Sequence, residues 1–302
     1  RRLTAPGAAP AGRGLTGGQT LELTGTTTQT GTGSLNTGGG ARVVNLGTWV
    51  DAADGNVAMG NFGAAGTSRF DNLGRFTKTS ASVTFLGSDL VLNNLGTIDI
   101  QAGTLRVGEA FNNQGQLNVA AGAELASTAT AFANNGVLTG DGTIRTVGSF
   151  FSLANTGTLA AGGLNDAGTL SLVGGLTQQA SGIFLVDLGS TAAGGFDVLS
   201  INGSAALDGT LAVNLLAGAH FNVGDSFTVM TWNQRLNNSQ FTSLDLTHAG
   251  GYGFATEYGA NSLTLRVTTA VPEPGSWALM ALGLLGLGGW TRRRATASDR
   301  AA

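Results

Sequence analysis

The 302-residue chain has no cysteine, only four prolines and two histidines, and only 11% charged residues. The lack of cysteine excludes disulfides, thiolate zinc sites and cysteine nucleophiles. The single lysine, Lys78, and the sparse arginines form no basic stripe, which argues against nucleic-acid binding. Glycine, by contrast, is abundant at 50 residues, and 42% of the chain is hydrophobic. This composition excludes collagen, because glycine has no period of three, and it excludes a disordered chain, which would contain fewer apolar residues.

A short phrase recurs between residues 45 and 160: Asn, one variable residue, Gly, and then alternating apolar positions. Successive glycines of the phrase are 27, 22, 19, 21 and 21 positions apart, at Gly47, Gly74, Gly96, Gly115, Gly136 and Gly157. This spacing is typical of one coil of a repeat protein. It predicts a parallel β-solenoid, in which a single coil buries little and stacked coils share one continuous core.

The residues within one phrase predict the role of each position in a coil. Ile98 and Ile100 fall on one face of a strand and Asp99 on the other, as a half-buried strand requires. Stacking identical coils should align the asparagines into a hydrogen-bonded ladder and the preceding phenylalanines into a core column. We expect the glycines, Gly115 among them, to adopt positive φ at a corner between two faces.

The predicted fold class is all-β: a parallel β-helix with a β-rich C-terminal cap and one short C-terminal hydrophobic helix. We divide the chain into a Gly/Thr-rich lead or degenerate first coil (1–40), the solenoid repeats (41–167), the cap (168–270) and a C-terminal tail (271–302). Phrases in the cap, such as residues 207–211, resemble the C-terminal end of autotransporter passenger β-helices. That resemblance implies a stabilising cap without catalysis, although no membrane β-barrel sequence follows it.

The tail combines three features in a fixed order. Pro272, Glu273 and Pro274 precede an apolar run over 276–290, and Arg292, Arg293 and Arg294 follow it. As a helix the run would span about 23 Å, short of a hydrocarbon core of about 30 Å. Arginines stay on the cytoplasmic side of a membrane, which would leave residues 1–270 outside the cytoplasm.

This tail resembles the PEP-CTERM sorting signal of Gram-negative bacteria, with Pro272, Glu273 and Pro274 as its signature and Arg292, Arg293 and Arg294 as the stop-transfer cluster. The resemblance implies processing by the membrane protease exosortase, in bacteria that make exopolysaccharide, and a transient anchor in the inner membrane. The alternative interpretation is a plain C-terminal anchor. Residues 1–40 contain no signal peptide and no initiating Met, so we expect a truncated or processed chain.

We searched the sequence for residues that carry chemistry. The acidic residues of the body are not spaced by one coil, which favours scattered, solvated positions over a paired-carboxylate site: Asp71, Asp89, Asp99, Glu109, Glu124 and Asp141. His220 and His248 have no nucleophile phrase beside them, and residues 162–166 form one imperfect copy of a calcium-binding nonapeptide. We therefore predict no catalytic, metal or cofactor-binding residues.

The sequence thus predicts a non-enzymatic, exported structural protein of the cell envelope or extracellular matrix, connected with exopolysaccharide or biofilm. Its expected partners are exosortase and an extracellular polysaccharide, and nucleic acid is excluded. One alternative is a surface adhesin that binds glycans or cells, through platforms such as Trp49, Trp232, Tyr252 or Tyr258. A second alternative is a β-helical polysaccharide lyase.

Overall fold

The computed structural model describes residues 2–4, 14–61, 66–128, 132–146 and 152–270, with the backbone alone at 2–4 and 61. In this part of the chain the regular structure is almost entirely β. The strands are β1 (Arg2–Thr4), β2 (Gly14–Leu15), β3 (Thr20–Leu23), β4 (Thr26–Gln29), β5 (Leu35–Thr37), β6 (Arg42–Asn45), β7 (Thr48–Asp51), β8 (Val57–Asn61), β9 (Ser68–Asn72), β10 (Arg75–Lys78), β11 (Val83–Leu86), β12 (Leu90–Asn94), β13 (Thr97–Ile100), β14 (Thr104–Val107), β15 (Phe111–Asn113), β16 (Gln116–Val119), β17 (Glu124–Ser127), β18 (Phe132–Asn134), β19 (Val137–Gly140), β20 (Thr143–Thr146), β21 (Ser152–Asn155), β22 (Thr158–Ala160), β23 (Thr169–Val173), β24 (Gly175–Gln178), β25 (Ile183–Leu188), β26 (Val198–Ala206), β27 (Thr210–Leu215), β28 (Ser226–Arg235), β29 (Ser243–His248), β30 (Gly253–Tyr258) and β31 (Ser262–Thr269), with one short 3₁₀ turn at Leu236–Asn238.

The strands wind into a three-faced parallel solenoid. In one coil β12, β13 and β14 follow each other, and each pairs in parallel with its counterpart in the next coil, β15, β16 and β17. Each face of the solenoid is one ladder of parallel strands, and the three ladders are numbered 1 to 3. Ladder 3, which begins at β4 and ends at β29, is a separate ten-stranded sheet. Ladder 1, containing β12, and ladder 2, containing β14, merge where the long β26 pairs with both β23 and β24. The predicted parallel β-helix is confirmed.

The core consists of inward-facing apolar side chains stacked from coil to coil. Phe111 lies over Phe132 with ring centroids 5.0 Å apart, and the same column continues to Leu153. Near the N-terminal coils, Trp49, Phe70 and Phe76 form an aromatic cluster at centroid distances of 5.6 to 6.3 Å. The phenylalanine column is therefore present, interleaved with leucines.

A ladder of buried amide side chains runs along one corner of the coils. Each Nδ2 donates to the Oδ1 of the asparagine in the next coil, at 2.7–2.8 Å. The ladder comprises Asn45, Asn72, Asn94, Asn113, Asn134 and Asn155, and it ends on Gln178 Oε1 at 2.9 Å. The second Nδ2 hydrogen of Asn94 bonds the Gln116 carbonyl at 2.8 Å, a contact that recurs along the ladder. Because a buried amide without partners is costly, this pattern explains why asparagine recurs at the position.

The expected positive φ at the glycine of the repeated phrase is wrong. Gly115 is absent from the glycines with positive φ, which include Gly103 and Gly122 in other turns. Glycine is required here because a Cβ on Gly115 would overlap the carbonyl oxygen of Gly96 in the preceding coil. That carbonyl cannot move away freely, since it accepts a hydrogen bond from Gln116 N at 2.8 Å.

At the C-terminal end the pairing changes from parallel to antiparallel. β28 pairs in parallel with β26 on one side and antiparallel with β31 on the other, and β31 pairs antiparallel with β30. Phe227 is fully buried there, with ring centroids 4.9 Å from Phe221 and 5.3 Å from Phe196. These aromatic side chains cover the last coil of the core.

Candidate functional site

A polar groove lies on the outer face of ladder 3. It has a volume of about 350 Å³ and is lined by Arg75, Thr97, Asp99, Gln116, Leu117, Asn118, Val137, Thr139 and Leu164. The strands β10, β13, β16 and β19 bring these residues together because their outward positions stack in register. The groove is therefore a product of coil stacking and has no counterpart in any single sequence motif.

Asp99 is the centre of the hydrogen-bond network in this groove. Its Oδ2 accepts from Arg75 Nη2 at 2.7 Å and from Gln101 Nε2 at 2.8 Å, and its Oδ1 accepts from Asn118 Nδ2 at 3.0 Å. Thr139 Oγ1 extends the chain to Asn118 Oδ1 at 3.2 Å. The groove thus presents fixed donors and acceptors of the kind that bind hydroxyl groups.

Leu164 contributes the apolar rim of the groove and is 52% exposed. It lies in the loop between β22 and β23, which also contains Gly162, Gly163 and Asp166 of the imperfect calcium-binding phrase. Three carboxylates accept hydrogen bonds from the backbone of this loop or of the residue that follows it. Asp141 accepts from Thr169 N at 2.8 Å, and the other two carboxylates belong to buried residues.

The two buried carboxylates are Asp187 and Asp197, both fully inaccessible. Asp187 Oδ2 accepts from Asp166 N at 3.0 Å, while Asp197 accepts from Gly168 N and Asp187 N, each at 2.9 Å. Burial raises the pKa of Asp197 to about 8, and the two backbone N–H donors oppose that rise. Sequence reasoning missed this cluster, because Asp141, Asp187 and Asp197 converge only through the coil geometry.

The acidic residues singled out from the sequence do not meet in one place. The expectation that they are solvated is wrong for Asp71 and Asp99, which are only 5% and 8% exposed. Asp71 pairs with Arg42, and Glu124 pairs with Arg145 at 3.0 Å, each across adjacent coils. No group of three acidic, histidine or cysteine side chains suited to a metal occurs in the described part of the chain.

The aromatic side chains proposed as glycan platforms are mostly core residues. Trp49, Trp232 and Tyr252 are buried, and Tyr258 is half-buried with its hydroxyl accepting from Phe241 N at 3.0 Å. Burial raises the pKa of Tyr258. Both histidines, His220 and His248, are exposed.

The sorting residues Pro272, Glu273 and Pro274, the hydrophobic helix and the cluster Arg292, Arg293 and Arg294 lie outside the described residues. Within the described ranges, none of the helical structure has the length and apolar character needed to span a bilayer.

Comparison with known proteins identifies the tail. Residues 270–294 match the model of the PEP-CTERM protein-sorting motif. No curated protein matches the chain. The motif implies an exported protein that exosortase sorts to the cell envelope. The chain thus consists of a parallel β-solenoid joined to a PEP-CTERM sorting motif.

Proposed function

We propose that the chain is a non-enzymatic structural protein of the cell envelope or extracellular matrix, connected with exopolysaccharide or biofilm. The observation that carries this proposal is the pairing of a sorting motif with a solenoid whose interior is filled by stacked side chains. Charged groups near the surface are engaged with neighbouring coils, as in the Arg75–Asp99 and Arg145–Glu124 pairs. Such pairing favours a load-bearing or spacing role over a reactive surface.

The first experiment tests export and sorting. Cells with and without exosortase are fractionated, and residues 41–270 are followed with an antibody. We expect envelope or extracellular product only when exosortase is present, and membrane retention of a longer form in its absence. Replacing Pro272, Glu273 and Pro274 by alanine should cause the same retention, whereas Ser276→Ala serves as the matched control. Normal processing of the triple variant would contradict the sorting assignment.

The second experiment tests the structural role. A deletion strain should form biofilm of lower mass or cohesion, restored by the full chain and not by a variant lacking the sorting motif. Biofilm indistinguishable from that of the parent would contradict a matrix function.

The groove on ladder 3 favours a second candidate, glycan adhesion. Asp99, Asn118 and Gln116 offer carboxylate and amide groups beside the apolar Leu164, a combination suited to sugar hydroxyls and to the apolar face of a sugar ring. Purified protein should sediment with exopolysaccharide from the host, and Asn118→Ala with Gln116→Ala should reduce the bound fraction several-fold. Thr210→Ala, on the same ladder outside the groove, is the control. Equal binding by all three proteins would exclude this groove.

The enzyme-class alternative is tested with the same protein. Incubation with uronate polymers should give no new unsaturated or reducing ends. Turnover that Asp99→Asn abolishes would replace the structural proposal with a lyase.

A further inference from the structure

The only lysine of the chain lies inside the solenoid. The Lys78 and Asp51 side chains are both fully inaccessible, and Lys78 Nζ lies 3.5 Å from Asp51 Oδ2. The two residues are direct register partners in β10 and β7, so they belong to consecutive coils. Neither the sorting motif nor the groove uses this pair.

Two hydroxyl groups fix the orientation of the amine. Lys78 Nζ donates to Ser80 Oγ at 3.0 Å and to Thr84 Oγ1 at 3.2 Å. A neutral amine has two N–H groups and one lone pair, so these two contacts use both hydrogens and leave the lone pair for the third direction. The Asp51 carboxyl is a third polar group beside the amine, with Oδ2 3.5 Å from Nζ. Burial lowers the pKa of Lys78, with the Asp51 charge opposing, and so favours the neutral amine.

Both oxygens of the Asp51 carboxyl group accept hydrogen bonds. The Thr84 hydroxyl donates to Oδ2, and Ala53 N donates to Oδ1 at 3.4 Å. Thr84 therefore accepts from the amine and donates to the carboxyl, so its hydroxyl connects the two groups by hydrogen bonds. The remaining hydroxyls form a chain in which Ser80 and Ser82 lie 2.9 Å apart and Ser82 donates to the Ala53 carbonyl.

We propose that Lys78 and Asp51 condense spontaneously into an isopeptide bond between consecutive coils. In the reacting form the one acidic proton that the two groups share lies on Asp51 Oδ2, and the Nζ lone pair attacks Cγ to form the Nζ–Cγ bond. Thr84 gives its hydroxyl hydrogen to Oδ2 and takes one Nζ proton in its place. The Cγ–Oδ2 bond then breaks, and Oδ2 leaves with two hydrogens as water, so the step consumes one amine and one carboxylic acid and needs no oxidant or cofactor.

The surroundings favour this reaction. Fixed neighbours in a core react with a high effective concentration, because the fold has already lost the entropy of bringing them together. An ion pair buried in this core carries a desolvation cost that an uncharged amide does not. Trp49 and Phe76, buried on the same two strands, help to exclude the water that would hydrolyse the product. The proposal does not rest on the proposed function.

The test is the mass of the intact full-length chain after denaturation. We expect a species lighter than the sequence mass by one water molecule. Trypsin should then fail to cleave after Lys78 and should release residues 43–69 joined to residues 76–106, which tandem mass spectrometry identifies. A chain at its full sequence mass, cleaved normally after Lys78, would overturn the proposal.

Two variants separate the bond from folding. Lys78→Met keeps an unbranched side chain of similar length in the core, and it should show the full mass and a lower Tm than the linked protein. Thr84→Val keeps the shape at the relay position while removing its hydroxyl, and the linked fraction, followed by mass from the time of synthesis, should rise at least tenfold more slowly than in the unaltered chain. Linkage at the rate of the unaltered chain would overturn the relay.

Discussion

The middle coils and the C-terminal end of the solenoid close the same core in different ways. From β6 to β24 one corner of every coil holds one amide of a continuous hydrogen-bonded ladder, with Asn113 and its counterparts buried. From β28 onwards the strands turn antiparallel and an aromatic cluster around Phe227 covers the last coil. The middle coils thus depend on repetition of identical contacts, and the end depends on one local cluster.

The direction of the ladder explains why its two ends differ. Each amide donates towards the C-terminal side, so an acceptor is left at the first member and a donor at the last. Within the described residues, Asn45 Oδ1 and Gln178 Nε2 are indeed buried without a partner. A repeated polar contact therefore leaves unsatisfied atoms wherever the repeat stops, and each end needs other contacts to offset that cost.

The largest effect is expected for Gly115→Val. Its side chain would collide with the Gly96 carbonyl, which is held by Gln116 N, and the coils would have to separate. We expect a loss of more than about 5 kcal/mol in the free energy of unfolding, measured by urea denaturation.

The control for this variant is Gly122→Val. Gly122 has positive φ and open space around its Cβ position, so only backbone strain, about 1–3 kcal/mol, opposes the change. A greater loss at Gly122 than at Gly115 would contradict the collision and restore the backbone explanation.

These two glycines show what sequence can and cannot reveal. The repeated phrase predicts the solenoid, the asparagine ladder and the phenylalanine column, because each follows from stacking identical coils. It does not distinguish a glycine needed for φ from one needed for close approach, since both reasons select glycine. The prediction therefore placed Gly115 at the correct corner but gave the wrong reason for the glycine there.

The next effect concerns the C-terminal end. Phe227→Ala should cost about 3–5 kcal/mol, because the side chain is fully buried among Phe196, Phe221 and Phe254. Hydrogen exchange should show loss of protection in β28–β31 before loss in β12–β16. Phe85→Ala, a half-buried residue of the middle coils that lies against Arg106, should cost far less and is the control. Uniform loss of protection along the chain would show that the two regions unfold as one unit.

The polar interior was less predictable than the apolar one. Asp51 and Lys78 are adjacent only through the register of β7 and β10, and the sequence gives no periodic signal for a pair that occurs once. The same is true of Asp187 and Asp197, which meet the loop carrying Leu164 through the pairing of consecutive coils. Repetition is visible in a sequence, whereas a single convergent contact needs the folded chain.

A smaller loss, about 2–3 kcal/mol, is expected for Asn113→Ala. The change removes the bonds to Asn94 and Asn134 and leaves one of the two Nδ2 hydrogens of Asn94 without its acceptor. Gln114→Ala, exposed at the neighbouring position of the same corner, should be within about 0.5 kcal/mol of the unaltered protein. Thermal unfolding of both variants measures the difference. Equal stabilities would mean that the ladder adds nothing beyond backbone pairing.

The smallest effect is a pH dependence at the junction of the two regions. The pKa of Asp197 is raised to about 8 in the folded chain, against about 3.9 when unfolded. Between those values the folded chain holds a proton that the unfolded chain has released, so stability falls as the pH rises and levels off above about pH 8. From about pH 6 to pH 7 the expected loss is at most about 1.4 kcal/mol.

Urea denaturation at both pH values should show this loss in the unaltered protein and little change in Asp197→Asn, because the variant has no proton to release. Because Asp197 accepts a hydrogen bond from Gly168 N, the protection of that loop against amide hydrogen exchange, corrected for the intrinsic rate at each pH, should fall over the same range, while the protection of the middle coils stays unchanged. A stability that rises with pH would instead mean that the two backbone donors outweigh burial and keep Asp197 ionised.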